Sequence, residues 1–136
     1  SKNLYFETEI FMADVTQSDF FLGLHVQDTT IIASRGADYV GFRKDDGDAL
    51  LDVESSAGSS ASDITSVATL VAATVIKLGF KIVGTSEIQF WVNDALVNRI
   101  TSDIPTELMK LSLAYLNGSA AENDININFV RCYQEV

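Results

Sequence analysis

The side chains of this 136-residue chain that could carry chemistry are a set of carboxylates, one histidine, one cysteine and one tryptophan. Glu7 and Glu9 stand two apart in the segment Leu4-Tyr5-Phe6-Glu7-Thr8-Glu9-Ile10, which alternates like a strand, so both acids share one face. General acid–base work needs two carboxylates in unlike environments, one kept protonated and the other ionised. Two neighbours on one solvated strand face do not meet that need, and no catalytic residue is expected. Asp45, Asp46 and Asp48, with Asp52 nearby, offer the hard oxygen ligands that calcium takes. Their spacing departs from an EF-hand loop, in which glycine is sixth and glutamate twelfth. The run is read as a hairpin turn with Gly47 at its positive-φ position, and neither a metal nor any other cofactor is expected.

Nucleophilic catalysis has little to work with. His25 falls at an outward strand position, where a surface or edge imidazole is the ordinary reading, and Cys132 lies near the end of a strand, where a small buried side chain is. With one cysteine the chain forms no internal disulfide. Trp91 is the more informative residue. It shares a strand face with Gln89 and Asn93, opposite Ile88, Phe90 and Val92. If that face is the outer one, an exposed indole is a platform for a sugar ring or a protein partner; if the two faces are exchanged, it is a core residue. Tyr5, Phe11 and Phe21 also fall on expected outer faces, which points to a partner surface.

The elements that must position these residues are strands. A period of two runs through Leu4 to Met12, Phe20 to Val26, Thr30 to Ala33, Tyr39 to Arg43 and Leu50 to Glu54. It is clearest from Val75 to Thr101, where turns at Gly84-Thr85-Ser86 and Asn93-Asp94 divide a three-stranded meander. Leu111, Leu113 and Tyr115 mark another inner face, and Ile125, Ile127 and Phe129 begin a last strand. The small-residue stretch Ser55 to Ser62 reads as an exposed loop, and helical spacing is confined to Ser66 to Ala73 and Pro105 to Lys110. Eight to ten short strands with almost no helix predict an all-β fold, a single antiparallel β-sandwich domain over residues 1–136.

Composition narrows the function classes. Nine basic against 19 acidic residues give a formal charge of -10, which argues against nucleic acid, since phosphate contacts need clustered Lys and Arg. No apolar run approaches the ~18 residues of a spanning helix, so no membrane is expected. No signal peptide is recognised at Ser1-Lys2-Asn3, and a soluble chain is expected.

Ile76-Lys77-Leu78-Gly79-Phe80-Lys81-Ile82-Val83-Gly84 followed by Ile88-Gln89-Phe90-Trp91-Val92-Asn93-Asp94 resembles a concanavalin A-like (laminin-G-like) jelly roll, with Asp94 where glycine is usual. Within that class, Phe20-Phe21-Leu22-Gly23-Leu24, Asp28-Thr29-Thr30-Ile31-Ile32, Val40 to Asp48 and Ile127-Asn128-Phe129-Val130-Arg131 look like tailed-bacteriophage virion proteins. The fold class also includes glucan hydrolases, which resemble Glu-x-Asp-x-x-Glu with aromatic neighbours; no such run occurs here.

The resemblance implies a non-enzymatic capsid decoration (cement) protein on the virion surface, binding the major capsid protein as a homo-oligomer, either trimer or dimer. The alternative is a lectin-like carbohydrate-binding module of a tail or head fibre, in which Trp91, with Gln89, Lys81 and Arg99, recognises a host glycan.

Overall fold

The computed structural model describes residues 2–26 and 30–136. Ten strands follow one another: β1 Leu4–Met12, β2 Ser18–His25, β3 Tyr39–Lys44, β4 Leu50–Ala57, β5 Ser60–Thr69, β6 Thr74–Val83, β7 Glu87–Val92, β8 Ala95–Ile100, β9 Lys110–Asn117 and β10 Ile125–Gln134. They build two five-stranded sheets, ordered β10-β1-β6-β7-β8 and β5-β4-β3-β2-β9, with every pairing antiparallel. The two sheets face each other as a sandwich, as the alternation predicts. The chain ends lie side by side, with the Glu135 N–H donating to the Asn3 carbonyl at 2.9 Å.

The core explains the alternation. Phe6, Phe80 and Phe90 stand in one cross-strand row of the first sheet, and Phe42 enters from the second. Phe6 stacks on Phe80 at 4.8 Å, and the edge of Phe42 meets Phe90 at 5.6 Å. All four rings are buried and tie the sheets together. Their neighbours in sequence, Lys81, Gln89 and Trp91, must then point outward, which decides the question the pattern left open for Trp91. The Asn93-Asp94 hairpin forms without glycine, both residues adopting positive φ (49° and 66°), the geometry a two-residue turn requires.

Four readings of the sequence are corrected. Ser55 to Ser62 is not an exposed loop: β4 and β5 run through it, joined by the positive-φ pair Gly58-Ser59. Its serines are small because backbone approaches them, Ser55 donating to the Asp103 carbonyl and Ser56 to the Ala37 carbonyl. Ser66 to Ala73 is not helical. β5 bulges between its pairings with Leu51 and Val53, Ser66 takes positive φ, and Asp52 accepts the Ser66 N–H at 2.7 Å. Three β5 residues, Thr65 to Val67, stand opposite Asp52 alone, so Ile64, Val67 and Ala68 all pack against the core, a spacing that mimics a helical period. Pro105 to Lys110 forms no helix either, running as irregular chain into β9. Thr30 to Ala33 is a turn closed by the Ser34 N–H on the Thr30 carbonyl, not a strand. Asp28 and Thr29 lie outside the described residues.

Candidate functional site

The outer face of the β10-β1-β6-β7-β8 sheet carries the candidate site. Antiparallel register lays its outward side chains in rows. One row runs Tyr133, Tyr5, Lys81, Gln89, Arg99; the next runs Arg131, Glu7, Gly79, Trp91. Gly79 leaves a gap in the second row, between Glu7 and the indole. The gap opens into a depression of about 170 Å³ lined by Tyr5, Glu7, Lys77, Gly79, Lys81, Trp91, Asp94 and Tyr133, with Phe6 and Phe80 beneath. The register slips between Phe90 and Trp91, where Val97 of β8 is the extra residue, and such a bulge re-aims the side chains beside it.

Around the gap the polar groups are held firmly. Tyr5 stacks on Tyr133 at 4.8 Å and donates its hydroxyl to Glu135 at 2.8 Å. The Lys81 ammonium lies over the Tyr5 ring, and its pKa is raised above the ordinary lysine value, first by Tyr5 and then by Glu135 and Glu87. Glu7 is braced by Arg131 at 2.9 Å and Lys77 at 3.6 Å, while Lys77 reaches Asp94 at 2.6 Å. Asp94 holds the Lys77 ammonium above its usual pKa. Glu9, in the row beyond, accepts from Asn128, the extra residue of a β10 bulge.

Of the four residues singled out in sequence, Trp91 and Lys81 line the depression. Gln89 and Arg99 continue the row beyond Lys81, on the same face but outside the depression; both turn to Glu87, Gln89 by hydrogen bond and Arg99 by an ion pair at 3.3 Å. Sequence reasoning passed over Tyr133, Glu7, Lys77, Gly79, Asp94 and Arg131 as members of one site. The signal available was the row Glu7, Gly79, Trp91, but it appears only once β1 is known to pair with β6.

The other polar groups lie elsewhere. His25 is not a surface imidazole: it is buried on the outer face of the second sheet beside Phe21, which is fully buried as well, and its Nδ1 is 3.4 Å from Ser112 Oγ. Residues 30–38 return to this face, with Arg35 over Tyr39 and paired with Glu54 at 2.5 Å. Glu54 has no exposed surface, and burial pushes its carboxyl up to about 7 against the pull of Arg35 and Arg43. Cys132 is exposed rather than buried, because β10 is an edge strand, and it lies on the other sheet from His25.

The acidic turn is built around an internal cation. Lys44 is fully buried, and its ammonium donates to the Ser18 carbonyl at 2.6 Å and the Asp45 carbonyl at 2.9 Å. The aspartates do not converge: Asp48 accepts the Leu50 N–H, Asp45 pairs with Arg43, and Asp52 binds Arg43 and the Ser66 N–H. Among the described residues, no His, Cys, Asp and Glu group has the arrangement to hold a metal ion, and no helix is long and apolar enough to cross a membrane.

No protein-family model and no curated protein matches the chain. Solved structures do. It is similar to sheep galectin-11 in complex with glycerol, at 13% identity and TM-score 0.60, over 96% of this chain and 90% of that one. It is similar to the carbohydrate-binding module CBM66 from Bacillus subtilis, at 12% and 0.62, over 97% and 75%. A glycosidic hydrolase matches at 15% and 0.68, over 95% of this chain but 64% of that one, so the chain spans under two thirds of the enzyme's length. At these identities the likeness shows the fold: an all-β antiparallel sandwich of the jelly-roll, concanavalin A-like class. It lends nothing to the resemblance to virion proteins.

Proposed function

We propose that the chain is a carbohydrate-binding, lectin-like module, with the outer face of the β10-β1-β6-β7-β8 sheet as its binding surface. The observation that carries the reading is the juxtaposition of an outward Trp91 with the side-chain gap at Gly79, in a row bounded by Glu7. A sugar ring presents an apolar C–H face and a rim of hydroxyls. The indole offers the matching flat apolar surface, the gap admits the ring edge, and Glu7, Lys77, Lys81 and Asp94 supply donors and acceptors for the rim. At about 170 Å³ the depression is well below the ~300–1,000 Å³ of drug-sized sites, which suits a single ring.

The face is read as non-catalytic. Glu7 and Glu9 are each engaged by a neighbouring donor, Glu7 by Arg131 and Glu9 by Asn128. Glu54, whose raised pKa would suit a general acid, has no exposed surface for a substrate to reach. The names of the galectin and CBM66 neighbours favour a glycan over a capsid lattice as the occupant.

A glycan array followed by titration of the best sugars tests the proposal. Trp91 is the sole tryptophan, so its fluorescence has one source. A saturable fluorescence change is expected in the parent, and the affinity measured by isothermal titration, which needs no tryptophan, is expected to fall about tenfold in Trp91→Ala. An array without signal, or binding indifferent to Trp91→Ala, would overturn the reading.

A further inference from the structure

The two sheets end differently at their two flanks. On one side β5 and β8 touch, and the seam is closed by Ser62, whose hydroxyl bonds to Asp103, and by Ser55 on the Asp103 carbonyl. On the other side β9 ends one sheet and β10 the other, each paired along one edge only. Leu111 and Leu113 stand in register with buried Leu24 and Leu22, and Ile127 with buried Ile10, so all three face the sandwich interior. They nevertheless remain 45%, 36% and 38% exposed. Interior-facing aliphatic side chains left this open mark a flank that the chain itself does not cover.

The charge pattern says what covers it. Of the 19 acidic residues none lies in β9 or β10, whose charged side chains are Lys110 and Arg131. In a chain of charge -10, two copies meeting through β9 and β10 would set no strand carboxylates face to face, which lowers the repulsion their net charge imposes. The Asn128 bulge interrupts the β10 edge, whereas β9 pairs with β2 in unbroken register, which leaves β9 as the straighter edge.

We propose that this flank is the interface with a second copy of the chain, related by a two-fold axis, in which β9 pairs antiparallel with its counterpart and the Ile127 lip of β10 closes over the join. The contact is isologous, so each copy covers the other's Leu111 and Leu113. The eight residues of β9 are about 26 Å long, and a flank roughly 20 Å deep would bury on the order of 500 Å² per copy, near the ~1,000 Å² total at which specific interfaces begin. The dimer is therefore reversible and concentration-dependent.

Sedimentation velocity on the whole chain over a wide concentration range tests this. The mass is expected to rise from 14.8 kDa toward twice that value, and Leu113→Glu is expected to stay monomeric throughout with the parental circular-dichroism spectrum. A parent chain that remains monomeric, a three-copy mass, or a folded Leu113→Glu that associates like the parent would each overturn the proposal. If Leu113→Glu does not fold, alkylation of Cys132 in the parent decides. Cys132 shares the row of Phe6 on the same flank, so its alkylation slows with protein concentration if the dimer forms and is constant if it does not.

Discussion

The ammonium of Lys81 lies 5.0 Å from the centre of the Tyr5 ring, across the strand pair that joins β1 to β6. Tyr5 is held from two further sides, by the ring of Tyr133 and by Glu135. A cation over an aromatic face at this distance gains on the order of 0.5–1 kcal/mol at an exposed site. The pair therefore acts chiefly by fixing where a positive charge and a flat ring stand relative to the Gly79 gap.

Trp91→Ala is expected to weaken sugar binding about tenfold, ~1.4 kcal/mol, with the melting temperature little changed, because the indole lies on the outer face of the sandwich. Isothermal titration beside thermal unfolding separates the two effects.

Gly79→Ala is expected to weaken binding as well, by filling the gap. Its new Cβ would lie 3.2 Å from the Phe6 carbonyl oxygen, so a shift of a few tenths of an ångström in the backbone should suffice to keep the fold. An unaltered circular-dichroism spectrum with reduced affinity is the anticipated pair of results.

Phe80→Ala should cost about 3–5 kcal/mol in urea denaturation, since Phe80 is buried and touches the rings of Phe6, Phe42 and Phe90. Affinity per folded molecule should fall too, because Phe80 also lies beneath the depression.

Glu54 makes stability depend on pH with a definite sign. Its carboxyl titrates near 7 when folded and near its ordinary value of 4.5 when unfolded, so between those values the folded state binds the extra proton. Its contribution is full below about pH 4.5 and is lost as pH rises through about 7, by on the order of 3 kcal/mol. Denaturation series at several pH values should show this decline in the parent and a much flatter profile in Glu54→Gln.

How much of this was legible in the sequence depends on the range of the interactions. The β6-β7-β8 meander could be read because alternation and turn chemistry are local: Gly84, Asn93 and Asp94 adopt the positive φ their types suggest. Trp91 and Lys81 can be placed on one outward face for the same reason. Tyr133 cannot, since its place beside Tyr5 follows from pairing the first strand with the last. Phe21 and His25 were misjudged because β2 is buried on both faces, and a covered outer face leaves no mark on the period. The bulge at Ser66 misled by imitating a different periodicity.

Because Asn3 and Glu135 are hydrogen-bonded neighbours, both ends of the folded unit leave from one corner, close to the stacked pair of Tyr5 and Tyr133. A polypeptide could therefore be spliced into a surface loop of another protein through this corner with little distortion of either partner, or the ends could be joined and the chain reopened elsewhere. In either arrangement the aromatic face would be carried at the point of attachment, with its orientation set by the tether.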